Sequence, residues 1–363
     1  MGTWNNFCRE LEKAGAFLDR PESPLDEIDR AEGLRYLTRL LRVGLDLTLE
    51  FADPHHPALV SAQEAHFGDG GNTADCVYLH AVIDGRSSYR LRGTRGEAPL
   101  MEIGIYDGKI GLDPVSKRID AVTEAGLVVD EHGEVDVRIG PGFADNAGPN
   151  VLHSDATTRY LFIRQYAHDW RSTTPATLSL ELLDPATATP PPLTLAVVED
   201  ALDRSARFVH DAAVAWAAVV DNTRREPANV LTPVPDGIDM TVPTGHRYAF
   251  GHFDLAEDEA LVIDFRPAEV PYWGLAINNY WFEVPDYEGT SGQVNNLTAQ
   301  PDAGSTVRVV ISSRDPGVPN WIDTFGHRVG LMVFRWFRTP LPVPEIRTRV
   351  VPVASLAASA AGI

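Results

Sequence analysis

Short apolar segments of strand length, broken by Gly, Asp and Pro, fill two separate stretches of this chain, and landmarks in the two recur at a nearly fixed spacing. Asp84 follows Ala-Val-Ile and Asp254 follows Gly-His-Phe; Ile105 and Leu275 end comparable segments; Arg164 and Arg335 sit in comparable late segments. The offsets are 170, 170 and 171 residues. A spacing held from residue 84 to residue 164 predicts a structural duplication, because each copy must bury its own apolar face with the same elements in the same order. The segments read as strands joined by tight turns: Cys76–Val82, Ser88–Arg92 and Leu100–Tyr106, with Asp84-Gly85 and Gly93 between them. Further strands are predicted within 126–139 and over 159–165, and in the second stretch over 247–253, 260–265, 272–282, 307–312 and 330–336. The expected fold class is mainly β: two related antiparallel jelly-roll-like sandwich halves with long accessory helices.

Two helices accompany the strands. Ser23-Pro24-Leu25-Asp26 reads as a helix start, with Ser23 as N-cap and Pro24 first in the helix. Leu34, Leu37, Leu41 and Leu45 then form an apolar stripe with Arg39 and Arg42 off it. A second helix is predicted from Val198 to Arg224, with Leu202, Phe208, Val209, Ala212, Trp216 and Val220 on its buried face. At 363 residues the chain exceeds one hydrophobic core. The expected division is an N-terminal helical segment at 1–52, a first β-sandwich half at 53–185, a connecting helix at 193–226, a second half at 230–350 and a frayed tail at 351–363. Pro185 to Pro192, with its four prolines, is the expected linker.

Charge narrows the partners. Lys plus Arg number 31 against 51 Asp plus Glu, a formal net charge of -20, which repels a phosphate backbone and an anionic membrane surface alike. Nucleic acid and membrane are therefore excluded as expected partners, and a small-molecule ligand or another protein remains. Cys8 and Cys76 are too few for a disulfide framework or a thiolate cage, although one bridge between them is open. The first residues show no basic region followed by an apolar run, so the cytoplasm is the expected location.

Three stretches carry a resemblance: Asp29-Arg-Ala-Glu-Gly-Leu-Arg-Tyr-Leu-Thr-Arg-Leu-Leu41, Ile163-Arg-Gln-Tyr166 with Asp169-Trp170, and Arg314-Asp-Pro-Gly-Val-Pro-Asn-Trp-Ile-Asp-Thr-Phe-Gly-His327. Together the chain resembles a bacterial family that carries the domain of unknown function 1214 in its C-terminal part. Asn72-Thr-Ala-Asp-Cys76 departs from the Asn-Pro-Asp-Asn type of turn expected there. The resemblance implies jelly-roll-like β domains with helices and brings no activity with it.

Common catalytic signatures are missing: no G-x-S-x-G elbow, Walker loop, G-x-G-x-x-G or H-E-x-x-H occurs. The eleven histidines include no H-x-H, and the sequence implies no cofactor and no metal. Chemistry is therefore sought in the connection from Arg314 to Arg328, where Pro316, Gly317, Pro319 and Gly326 fix the course of a polar run. If 320–326 makes a helical turn, Asp323 lies one turn from His327 and can orient its imidazole as an acid/base pair. Asn320, Arg328 and Arg314 then support a ligand oxygen. The competing reading makes Asp315-Pro316-Gly317 a turn, Trp321 a plug and Asp323 a cap of backbone amides. A second cluster, Asn278 to Trp281, would present Asn279 with Trp281 on one strand face and Asn278 with Tyr280 on the other, so that Asn279, Tyr280 and Trp281 are candidate ligand contacts. Arg164, Gln165, Tyr166, Asp169 and Trp170 are the matching set in the first half, with Arg164 and Asp169 as an ion pair.

Three functions follow: a hydrolase or lyase acting on a small or carbohydrate-like molecule through His327 and Asp323, a non-catalytic ligand-binding β-sandwich, and a structural or partner-binding protein whose long helices form a homo-oligomer contact.

Overall fold

A computed structural model describes residues 2–63, 70–143, 148–183, 192–235, 245–285 and 292–360, so the expected linker at 185–192 lies almost wholly outside the described residues. The chain divides into two compact units: unit 1 is Met1–Arg20, Leu34–Asp69 and Asp75–Ala215, and unit 2 is Pro21–Gly33, Gly70–Ala74 and Trp216–Ile363. The N-terminal residues are thus shared between the two sets of strands.

Unit 1 holds β1 (Val60–Gln63), β2 (Cys76–Val82), β3 (Tyr89–Thr94), β4 (Leu100–Tyr106), β5 (Arg118–Thr123), β6 (Glu134–Gly140), β7 (Val151–His153), β8 (Tyr160–Tyr166) and β9 (Thr177–Leu182). They form a five-stranded sheet ordered β1-β2-β8-β4-β5 and a four-stranded sheet ordered β7-β6-β3-β9. Ala81, Ile103 and Ile163 from the first meet Leu91, Val137 and Leu180 from the second in one core. Strand β6 alternates exposed and buried residues, as a strand with one wet face should, whereas every residue of β4 is buried.

Unit 2 holds β10 (Thr232–Pro233), β11 (Arg247–Asp254), β12 (Glu259–Phe265), β13 (Tyr272–Asn278), β14 (Gln293–Asn295), β15 (Val307–Ser312), β16 (Trp321–Asp323), β17 (Val329–Phe337) and β18 (Ile346–Pro352). Its sheets are ordered β10-β11-β17-β13-β14 and β16-β15-β12-β18, the same orders as in unit 1 with every strand number raised by nine. In both units a short strand runs parallel to its neighbour, β7 beside β6 and β16 beside β15, among otherwise antiparallel pairs. Leu275, Phe334 and Trp336 face Ile263, Val309 and Ile322 across the core. Each unit is thus two sheets closed over one apolar layer, a β-sandwich.

Register refines the expected spacing. Tyr78 and Tyr248 stand opposite Arg164 and Arg335, as offsets near 170 require. Leu275, however, pairs with Phe334 as Ile103 pairs with Ile163, so its counterpart is Ile103 and not Ile105. Strand β13 stops at Asn278, short of the expected Phe282. The Asn279 side chain causes the stop: its Oδ1 accepts from the backbone N–H of Trp281 and of Glu283, both at 3.0 Å, and so replaces the ladder with a turn. The alternation expected for Asn278 to Trp281 is lost with the strand.

The helices are α1 (Gly2–Gly15), α2 (Glu27–Leu45), α3 (Leu195–Thr223) and α4 (Val353–Ala360), and none among the described residues is long and apolar enough to cross a membrane. The cap of α2 is Asp26, not Ser23: its Oδ1 accepts from the Asp29 N–H at 2.9 Å and its carbonyl from Arg30 at 3.1 Å. A carboxylate there also opposes the positive end of the helix dipole, so Pro24 stays outside. Tyr36, Leu40 and Val43 are the fully buried large residues of α2, with Leu47 just past its end; of the leucines expected, Leu41 and Leu45 are half-buried against the cluster of Phe7, Leu202 and Ala206, Leu37 is half-buried, and Leu34 is 63% exposed. Gly44 explains the choice of face, since a Cβ there would stand 3.2 Å from the Ser205 carbonyl of α3. In α3, Leu202, Phe208, Val209 and Ala212 are buried as expected, and Trp216 is half-buried. Residues 353–360, expected as a frayed tail, form α4. Cys8 is exposed and Cys76 buried, and both are free thiols.

Candidate functional site

Three pieces of unit 2 meet at one buried point: the first turns of α2, the chain after β13 and the connection from β16 to β17. Helical spacing places Asp29 and Glu32 on one face of α2. Phe325 and Gly326, at φ 53° and 82°, turn the connection so that His327 points inward. The His327 side chain is 1% exposed; its Nδ1 lies 3.0 Å from Asp29 Oδ1 and its Nε2 lies 3.2 Å from Glu32 Oε2. Both oxygens stand off the ring N–H axes, so the attraction is ionic, without a directed hydrogen bond.

A second layer holds this cluster. Asn279 Nδ2 donates to Glu32 Oε2 at 2.6 Å, its orientation fixed by the two backbone amides that occupy Oδ1. Trp281 Nε1 donates to the Asp29 carbonyl at 2.7 Å. Burial alone lowers the His327 pKa, but the two carboxylates outweigh it and lift it to about 9. Burial raises the Asp29 carboxyl above its usual range, with Asp26 adding to the rise and His327 opposing it.

A cleft of about 670 Å³ opens beside Asp29, with Asp26, Arg224, Tyr280 and Arg328 among its walls. A second, of about 470 Å³, reaches His327 and Thr324 from the side of Arg314. Both volumes suit small molecules. Tyr280 donates to Asp221 Oδ1 at 3.0 Å, and the Arg224 guanidinium lies 5.2 Å above its ring.

The remaining candidates have other duties. Asp323 ends strand β16 instead of lying on a helical turn, and its Oδ1 accepts from the Phe325 N–H at 2.8 Å. It caps the backbone, and the orienting role expected of it passes to Asp29 and Glu32. Asn320, at φ 58°, bridges Gln300 and Arg308 with its amide. Arg314 pairs with Glu257, and Arg328 Nε lies 3.0 Å from Asp254. The structure therefore gathers His327, Asn279 and Trp281 and leaves Asp323, Asn320 and Arg314 outside. In unit 1, Arg164 pairs with Glu102 at 2.9 Å and Asp169 with Arg171 at 2.9 Å, so the expected Arg164–Asp169 pair is not formed. The residues sequence reasoning missed are Asp29 and Glu32; an Asp-x-x-Glu pair behind a capping Asp26 was the available signal.

No family model matches the chain, and no curated protein does. A solved structure described as a putative uncharacterized protein from Burkholderia cenocepacia is 33% identical, with 97% of each chain covered and a TM-score of 0.91. A protein from Vibrio parahaemolyticus is 10% identical over 94% of this chain and 100% of its own, with a TM-score of 0.49. By its identity and coverage, the chain belongs to the family of the Burkholderia cenocepacia protein.

Proposed function

We propose that the chain is a hydrolase or lyase acting on a small polar molecule in the unit 2 cleft, with Asp29 at the cleft wall as the group on which turnover depends and His327 behind it as the positioning residue. One observation carries this reading: two carboxylates and an imidazole are buried together beside a cleft of about 670 Å³ whose walls also carry Arg224, Tyr280 and Arg328. Such a cluster is costly to desolvate, and apolar side chains would fill the same space more cheaply. Clefts with a few converging polar groups are where ligands bind. The guanidinium groups suit a carboxylate or carbonyl oxygen of the ligand.

The same proposal takes the two units as copies of one jelly-roll-like ancestor, on the shared strand order, and keeps the resemblance to the family carrying domain 1214. A cytoplasmic location is supported by two free thiols. The test is a thermal-shift screen of the purified chain against small polar metabolites, followed by turnover assays on hits. A hit whose stabilisation is lost in Arg328→Ala, and whose turnover is lost in a folded Asp29→Asn variant, is expected. Full turnover in Asp29→Asn refutes the reading.

A further inference from the structure

We infer that Asp29, Glu32 and His327 bind one divalent cation of the first transition row. The inference rests on the site named above but not on its turnover. The three residues offer one ligand atom each, all within 4.8 Å of one another. One carboxylate oxygen stands 3.0 Å from Nδ1 and the other 3.2 Å from Nε2, so whichever ring nitrogen takes the ion has one neighbouring ligand at the separation that bonds of about 2.0 to 2.2 Å give, and the other within 4.8 Å. His327 is the independent observation. Its side chain is 1% exposed, yet neither ring nitrogen has a directed hydrogen bond, and Asp29 Oδ1 also lacks one. Buried imidazole nitrogens without partners are rare. A cation bound through one ring nitrogen and the two carboxylates gives that nitrogen and Asp29 Oδ1 a partner, and the other ring nitrogen keeps the proton.

Charge points the same way. Two carboxylates against one imidazole leave the buried cluster negative even with the ring protonated, and Asp26 hydrogen-bonds to Asp29 beside it. The nearby guanidinium of Arg328 pairs through its Nε with Asp254 at 3.0 Å. A divalent cation offsets this charge and takes the place that a proton holds without it. The supporting layer is of the kind metal ligands have: Asn279 steers the Glu32 carboxylate and Trp281 fixes the backbone at Asp29. Mixed imidazole and carboxylate donors without thiolate favour Zn²⁺, Mn²⁺, Fe²⁺ or Co²⁺ over Ca²⁺ or Cu⁺. Three protein ligands leave coordination positions open, and Asp29 borders the larger cleft.

The test is calorimetric titration of chelator-treated full chain with Zn²⁺ and with Mn²⁺. One equivalent is expected to bind, with affinity reduced at least tenfold in Glu32→Gln and in His327→Gln. The double variant His55→Gln/His56→Gln, at the other histidine cluster, is expected to bind as wild type does. Absence of binding by wild type, unchanged binding in a folded His327→Gln variant, or loss of binding in the His55/His56 variant each overturns the inference. Should the site variants fail to fold, pulsed EPR of Mn²⁺-loaded wild type decides: one imidazole nitrogen coupling supports the site and none overturns it. Cation binding through these residues in a chain that turns over nothing refutes the proposed function alone. Turnover by protein that takes up no cation refutes this inference alone.

Discussion

Replacing His80 with Phe should remove about 2 kcal/mol from the stability that the chain loses between pH 7 and pH 5. His80 lies on β2 on the face of the five-stranded sheet away from the core; it is 4% exposed, and its ring sits 4.2 Å from that of Phe162. Its Nε2 has no hydrogen-bond partner among the described residues. Burial drives its pKa well below 6.5, and the charges of Lys109 and Arg164 push it the same way. The sign follows from linkage. Above the unfolded value of about 6.5 both states are neutral and nothing is lost; below it the unfolded chain takes up a proton that the folded one refuses. Stability then falls by up to about 1.4 kcal/mol per pH unit, or about 2 kcal/mol between pH 7 and pH 5. Phe is the substitute because register makes Phe250 the counterpart of His80, two residues beyond the Tyr that faces Arg in each unit. The assay is urea unfolding of wild type and His80→Phe at pH 7 and pH 5, with the difference of differences isolating this one group. Wild type should lose about 2 kcal/mol more than the variant over that interval. Equal losses would mean that the folded imidazole protonates normally, and the burial argument would fail.

Arg164→Met should cost about 3 kcal/mol in urea unfolding, because Glu102, 2% exposed, would lose its partner at 2.9 Å and keep Arg118 at 3.7 Å. Adding Glu102→Leu should recover most of that loss. Asp26→Ala should lower stability by about 1 kcal/mol through the lost N-cap of α2, seen as a lower denaturation midpoint. Trp216→Ala should cost about 3 kcal/mol, the low end for a large aromatic, since the half-buried indole packs on Phe282 at 5.6 Å and over Gly70. A loss within about 0.5 kcal/mol would show that it faces water.

Strand positions were legible because period-two segments and Gly or Asp turns are local signals. Cys76–Val82, Leu100–Tyr106 and Val307–Ser312 match their predicted bounds. Positions set by side chains acting on backbone were not. Asn279 ended β13 through an amide bonded two and four residues ahead, and Asp26 took over the cap of α2 in the same local manner. His327 was visible as a polar residue in a Pro- and Gly-fixed connection, and Asn279 and Trp281 as neighbours of a strand end. Their convergence was not, because Asp29 and Glu32 come from the far end of the chain, where a helix start looks the same whether its carboxylates face water or a histidine. Asp323 was chosen for its nearness in sequence, yet the parallel pairing of β16 with β15 extended the segment that a helical turn would have needed.

The connections before β8 and before β17 carry different side-chain chemistry. The Gly85 N–H donates to the Thr158 carbonyl in unit 1, and the Leu255 N–H donates to the Arg328 carbonyl in unit 2, so the same backbone bond closes the connection before β8 and before β17. Counted from that bond His327 falls level with Thr157, and counted from the strand register it falls level with Ala156. In unit 1 that threonine folds back onto its own loop, with its hydroxyl at 2.5 Å and its N–H at 2.8 Å from Asp155 Oδ1. In unit 2 the Asp323 carboxylate closes the connection in the same way on the Phe325 N–H at 2.8 Å, and the His327 N–H donates to the Thr324 carbonyl at 3.0 Å. Positive φ at Phe325 and Gly326 sends the imidazole inward to carboxylates from α2. Both connections thus carry an Asp-capped turn, and unit 2 adds a buried charged cluster beside it. Because backbone bonds hold the connection in either unit, the side chains near this position can differ in chemistry while both units keep the same sandwich.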